Sequence, residues 1–234
     1  MMSTLYVVAT PIGNLEDVTL RAIRVLHEVG LIAAEDTRKT KRLLSAHQIK
    51  TPLTSYHEHN KRAKLPYLLR ALEHGDVALV SEAGMPGIND PGYDLVLAAI
   101  DDEVKVVPVP GPSAIPAALA VSGLTTEQFI HLGFLPRKNG ARRKLLQSIA
   151  AEPRTIVAFE TPHRLRSALG DLGEVLGERR LAVCREMTKL HEEIFRGTVN
   201  QAIEHFAEPR GEFTLVIEGK AREPKCGKGG DQFA

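Results

Sequence analysis

The chain has no tryptophan, and its 234 residues include only 4 tyrosines, 7 phenylalanines and 2 cysteines. So few aromatic rings leave little with which to build a platform for stacking single-stranded bases. Cys184 sits in the apolar run Leu181 to Cys184, and Cys226 lies in a polar tail. Two such cysteines form neither a disulfide framework nor a metal set, and a reducing cytoplasm is the expected setting. There is no GxGxxG fingerprint, no Walker A loop and no Cys/His metal spacing, which removes the commonest cofactor readings. Met1 to Ala9 shows no basic region followed by an apolar core, so no signal peptide is expected. Val106 to Thr126 is uncharged for 21 residues, which is membrane-spanning length. Pro108, Pro110, Pro112 and Pro116 break its first half, so a strand end, a loop and a short helix are expected there, and no membrane span. Formal net charge is only +1, so any nucleic-acid signal must be local.

A hydrophobic content of 43% with 25% charged residues is that of a globular α/β protein with ample core. The first half alternates apolar strands with amphipathic helices. Strands are expected at Leu5 to Ala9, Leu31 to Ala34, Val77 to Val80 and Lys105 to Val107. The apolar stripe Ala22, Ile23, Val25, Leu26 and Val29 marks the first helix, and further helices are expected at Lys39 to Ala46, Ala63 to Glu73, Tyr93 to Ile100 and Ala114 to Val121. Such alternation implies a mostly parallel sheet covered on both faces. Ser122 to Thr126 reads as a domain boundary. Beyond it, strands near Ile130 to Leu132, Thr155 to Phe159, Leu181 to Cys184, Ile194 to Gly197 and Phe213 to Glu218 suggest a mixed sheet. Helices near Arg142 to Ala150, Arg164 to Leu176 and Val199 to Phe206 accompany it. The expected layout is an N-terminal α/β domain over 1–122, a C-terminal α/β domain over 123–220 and a disordered tail over 221–234, rich in Gly, Lys and Pro.

The segment from Ser81 to Gly92 (Ser-Glu-Ala-Gly-Met-Pro-Gly-Ile-Asn-Asp-Pro-Gly) follows the strand Val77 to Val80. Three glycines and two prolines continue neither strand nor helix, and the connection exceeds an ordinary turn. It is expected to form a fixed binding loop at a strand's carboxyl end, where open α/β sheets take their ligands. Thr10-Pro11-Ile12-Gly13-Asn14 and Pro108 to Ala114 are loops of the same kind.

These three loops, with Ala34 to Arg38, Phe159 to Arg164 and Glu186 to Glu193, resemble the tetrapyrrole methylase superfamily, and within it the branch that methylates small-subunit ribosomal RNA. The resemblance runs in order from about Leu5 to Gly219. It implies two α/β domains with S-adenosylmethionine in the cleft between them. It implies methyl transfer to the ribose 2′-hydroxyl of a cytidine in 16S ribosomal RNA, with the small ribosomal subunit as partner, a homodimer as assembly and no metal. Carried over by position, Pro11, Ala83, Gly84, Ile88, Ser113 and Ala114 meet the cofactor, and Phe159, Glu160 and Thr214 close over its adenosine. Ser113 and Ala114 open a helix, whose free N–H groups suit a carboxylate.

The long loop departs from the superfamily's usual Ser-Asp-Ala-Gly-Thr-Pro-Gly-Ile-Ser-Asp-Pro-Gly. Glu82 stands for Asp, Met85 for Thr and Asn89 for Ser, while the backbone-shaping glycines and prolines remain. Removing a proton from a ribose hydroxyl calls for a positioned base. Glu82, Asp36, Glu160, His57 and Glu186 are the candidates, with Lys189 as an electrostatic helper. Asp36 has a structural alternative, as a cap for the following helix with Arg38 in an ion pair. Arg137, Lys138, Arg142, Arg143 and Lys144, with Arg38, Lys39, Lys41 and Arg42, form two basic clusters suited to phosphates. Two rival readings stand beside the RNA methyltransferase. One is a precorrin-like small-molecule methyltransferase on the same scaffold, and the other a non-catalytic RNA-binding module.

Overall fold

The computed structural model describes residues 3–221. It divides into two compact units, one of Met1–Val121 with Cys184–Glu193 and one of Ser122–Val183 with Ile194–Ala234. Most of the expected tail, and Cys226 with it, lies outside the described residues.

The first unit holds five parallel strands: β1 (Thr4–Val8), β2 (Leu31–Ala34), β3 (Leu53–Ser55), β4 (Val77–Val80) and β5 (Lys105–Val109), ordered β3-β2-β4-β1-β5. Five helices follow them in turn: α1 (Leu20–Glu28), α2 (Thr37–Ala46), α3 (Lys61–His74), α4 (Gly92–Asp101) and α5 (Ala114–Ser122). Strands buried on both faces read as continuous apolar runs rather than alternating ones, and Leu31–Ala34 and Val77–Val80 are buried at every position. Their alternate residues serve two cores. Ile32, Ala34, Ala78 and Val80 pack with Ala22, Val25, Leu26, Leu43 and Leu44 of α1 and α2. Leu31, Ala33, Val77 and Leu79 pack with Leu68, Leu72, Leu95 and Ala99 of α3 and α4. The helices after β1 and β4 therefore lie on opposite faces although these strands are neighbours. That is the topological switch point at which such sheets open a crevice.

The second unit is built on β6 (Phe129–Phe134), β7 (Thr155–Glu160), β8 (Arg180–Arg185), β9 (Glu193–Thr198) and β10 (Phe213–Ile217), in the order β6-β7-β10-β8-β9. The sheet is mixed, since β6 pairs parallel to β7 and β10 antiparallel to it. Its helices are α6 (Asn139–Ser148), α7 (Pro162–Leu176) and α8 (Val199–His205). Thr198 and Gln201 cap α8 reciprocally, satisfying two otherwise orphan donors.

The expected helices and strands fall within a few residues of those observed, with one strand overlooked. β3 covers three residues, all half-buried, and its Leu-Thr-Ser sequence carries no apolar run. It exists through backbone pairing with β2. No helix among the described residues is long and apolar enough to cross a membrane.

Candidate active site

Parallel strands bring the strand-to-helix loops of the first unit's sheet out at one edge, the carboxyl ends of the strands. The loops after β1 and β4 are joined there by paired backbone bonds. Thr10 N donates to Gly84 O at 3.0 Å, and Gly84 N donates to Thr10 O at 2.9 Å. Ser81 Oγ adds a bond to Gly84 O at 3.1 Å. Gly84 has φ +81°, and a Cβ built on it would stand 3.5 Å from Ile12 Cγ2, 3.6 Å from Pro112 O and 3.9 Å from the Ser113 Cα. Three loops thus converge on a residue whose backbone conformation disfavours any side chain. Farther along, Asp90 Oδ1 accepts from Gly87 N at 2.7 Å and from Gly92 N at 2.8 Å. Side chain and backbone together fix the loop's shape without a long element; Pro11, Ala83, Ile88 and Ser113 lie on these converging loops, and Ala114 opens α5.

Carboxylates and one ammonium cluster at the ends of β2 and β4. Asp36 caps α2, its Oδ1 accepting from Arg38 N at 2.8 Å and Lys39 N at 3.3 Å, while Oδ2 lies 3.5 Å from Arg38 Nη2. Those bonds, led by the one from Arg38 N, hold its proton affinity below the usual carboxylate range. The cap described as a structural alternative is thus the geometry observed for Asp36. The cap starts the helix that carries Lys39, whose Nζ pairs with Glu82 Oε1. Glu35 was overlooked in favour of its neighbour. Its backbone N–H donates to Val80 O at 3.3 Å, and its Oε2 accepts from Glu82 N at 3.1 Å. Burial foremost, with the nearby carboxylates of Asp90 and Glu82, raises its proton affinity above the ordinary value; the Glu82 N–H and Lys39 oppose this.

The connection from Glu186 to Glu192 belongs to this unit as well. A Cβ on Gly13 would fall 2.5 Å from Lys189 Cγ, 2.7 Å from Thr188 Oγ1 and 3.0 Å from Met187 O. Glu186 and Thr188 hold φ of +48° and +66°, conformations rare outside glycine and concentrated at functional positions. Lys189 Nζ pairs with Glu186 Oε1 at 2.9 Å. A cavity of about 330 Å³ lies alongside, lined in part by Ile12, Thr19, Ser113 and Thr188. His57 follows β3 at the far edge of the sheet, with its N–H on Asn60 Oδ1 at 2.8 Å.

In the second unit Phe159 is the last residue but one of β7, packing edge-on against His131 at 4.8 Å and tilted against Phe134 at 5.5 Å between ring centroids. Thr214 is buried opposite Phe159 in the ladder. Glu160 is 2% exposed; its Oε1 accepts from Thr161 N at 2.7 Å and from Arg164 Nη2 at 2.7 Å, and Oε2 has no partner.

The basic cluster of α6 needs one correction. Arg142, expected to meet RNA phosphates, is only 1% exposed. Its Nε lies 2.7 Å from Asp171 Oδ2, and its Nη2 lies 2.6 Å from Ser167 Oγ and 3.0 Å from Asn139 Oδ1. A buried guanidinium must be paired, and Asp171 of α7 supplies the pair, so this arginine pins α6 to α7 and cannot reach a phosphate. Arg143 also leans on Asp171, at 2.6 Å, and on Glu174, at 2.7 Å, but remains half exposed. Arg137 and Lys138 before α6, and Arg38 and Lys39 on α2, are exposed. No group of three or more His, Cys, Asp or Glu among the described residues is arranged to hold a metal ion.

A model of the family described as Tetrapyrrole (Corrin/Porphyrin) Methylases matches residues 4–203. The protein of Synechocystis sp. named "Ribosomal RNA small subunit methyltransferase I" is 53% identical over 228 residues, 96% of this chain and 82% of its own. The Thermotoga maritima protein of the same name is 51% identical over 222 residues, 94% of this chain and 100% of its own. Among solved structures, the native form of uroporphyrin III C-methyl transferase from Thermus thermophilus matches with a TM-score of 0.67 at 20% identity, covering 92% of this chain and 97% of that one. At that identity the likeness speaks for the fold alone.

Proposed function

Because the chain belongs to the tetrapyrrole methylase family, we propose that it transfers a methyl group from S-adenosylmethionine to small-subunit ribosomal RNA, at the ribose 2′-hydroxyl of a cytidine. One observation carries the reading. About half of the residues are identical to proteins named for that subunit, over 82% to 100% of those proteins' length.

The converging loops of the first unit suit the methyl donor. S-adenosylmethionine offers an adenosine and an amino-acid carboxylate, and the loops offer backbone N–H and C=O groups around the side-chain-free Gly84. Pro11, Ala83, Gly84 and Ile88 would line the donor, and Ser113 and Ala114 would receive its carboxylate at the start of α5. When bound, the donor supplies an electrophilic methyl. The protein's part is to align the acceptor with it, an effect worth several kcal/mol. Lys39 holds Glu82, and Lys189 sits beside Gly13, so both charged side chains are tethered near the loop mouths. Arg38, Arg137 and Lys138 are exposed cations suited to RNA phosphates, whereas Lys39 is already paired with Glu82.

We further propose a cytoplasmic homodimer. Tyr93, Leu97 and Ile100 make an exposed apolar stripe along α4, of the kind that marks an interface. Light scattering after size exclusion checks this, and a purely monomeric protein would refute it.

The functional reading is tested with radiolabelled S-adenosylmethionine and small ribosomal subunits from cells lacking the native methylation. Label recovered on a cytidine ribose supports it. A thermal shift with S-adenosylhomocysteine but no transfer to RNA would favour a small-molecule acceptor.

A further inference from the structure

Resting on this reading, we infer that Glu35 is the base that takes the proton from the acceptor hydroxyl. The other candidate acids named from the sequence each have a partner. Asp36 gives Oδ1 to the cap of α2 and sets Oδ2 toward Arg38. Glu82 is paired with Lys39, Glu186 with Lys189, and Glu160 is a buried partner of Arg164. His57 follows β3, two strands from the switch point. Glu35 follows β2 and reaches across to the β4 loop, where Oε2 is fixed by the Glu82 N–H. Its Oε1 receives no hydrogen bond among the described residues. One oxygen is therefore oriented and the other open, on a half-buried side chain beside the loop that would line the donor.

The surroundings tune this group for the task. Desolvation and the facing carboxylates of Glu82 and Asp90 make it more basic than an ordinary glutamate, and Lys39 and the Glu82 N–H limit the rise. Asp36, its chain neighbour, is turned to its own helix. In the transfer, the ribose oxygen bonds the methyl as the methyl–sulfur bond breaks. The hydroxyl proton passes to Glu35, leaving S-adenosylhomocysteine, a methylated ribose and a neutral carboxyl that later releases its proton to water.

Two experiments on the full chain test the assignment. Single-turnover transfer to small subunits is followed from pH 5.5 to 9 for wild type, E35Q and E35D. Positioned bases contribute roughly 10²–10⁴-fold, so E35Q should be slower by about 10² or more and lose the acidic limb of the wild-type profile, while E35D falls between. The thermal shift with S-adenosylhomocysteine should be unchanged. The second experiment needs no turnover. A carboxyl whose folded proton affinity is raised contributes stability below its unfolded pKa and loses it as pH rises. The melting temperature of E35Q relative to wild type should therefore climb from pH 4 to pH 8. E35Q transferring within threefold of wild type, keeping its acidic limb, or showing a pH-independent melting difference overturns the assignment of Glu35 alone. Wild type failing to label RNA overturns the underlying reading with it.

Discussion

Removing the carboxylate of Asp171 should be the most damaging single change in the second unit. Asp171 is 3% exposed and Arg142 is 1% exposed. The Arg142 Nε and Nη2 lie 2.7 Å and 2.5 Å from one Asp171 oxygen. In D171A the guanidinium would keep Ser167 and Asn139 but lose its counter-charge in a site closed to water. Breaking a buried pair from one side costs about 3–5 kcal/mol, because the surviving charge stays buried. Arg143 also loses a partner, but it is half exposed and adds little. With an m-value of about 2 kcal/mol/M in urea, the midpoint should drop by about 1.5–2.5 M. The chain has no tryptophan, so far-UV circular dichroism is the fitting probe. The double variant R142M/D171L should recover most of the loss, since replacing both charges with apolar groups of similar size is often neutral. A midpoint shift in D171A below about 0.5 M, equivalent to about 1 kcal/mol at that slope, would refute the argument that this ion pair is an internal strut.

The same logic separates strut from RNA contact. R137A and K138A should each reduce the slope of log affinity against log salt by about 1, measured by filter binding to small subunits, whereas R142M should leave that slope unchanged and lower thermal stability. D36A should lower stability through the lost cap. Because the Asp36 carboxyl lies below its ordinary value of 3.8, its contribution is present above that pH and fades as pH falls through the folded pKa, so melting curves of wild type and D36A should converge as the pH is taken below 3.8. G13A should displace Lys189 and Thr188, destabilising by about 1–3 kcal/mol and weakening the thermal shift with S-adenosylhomocysteine. An unaltered shift would show that the 186–192 connection is not needed for the donor.

Local chemistry made part of this molecule legible in one dimension. Val77–Val80 and Leu31–Ala34 are apolar at each position because both faces of their sheet are covered, and that pattern survives in sequence whatever the partners. Ser81–Gly92 announces itself through glycines and prolines, since their backbone restrictions are properties of single residues, and Gly84 does sit in the left-handed region. Other features depend on residues far apart in the chain. β3 is a strand only because β2 lies beside it. Arg142 looks like its solvated neighbours until Asp171, 29 residues away, is brought to it by the packing of α6 on α7. Glu35 and Asp36 are adjacent acids of similar chemistry. The turn from β2 into α2 sends one to cap a helix and the other toward Glu82, and no pattern of residue types distinguishes the two directions. Gly13 meets Lys189 across 176 positions of chain, a contact set by the fold's return path from β8 to β9. The sequence by itself determined the loops and every element but β3. Which acid faces the open edge and which arginine is internal followed from tertiary packing, because burial and pairing are properties of neighbours that only the folded chain brings together.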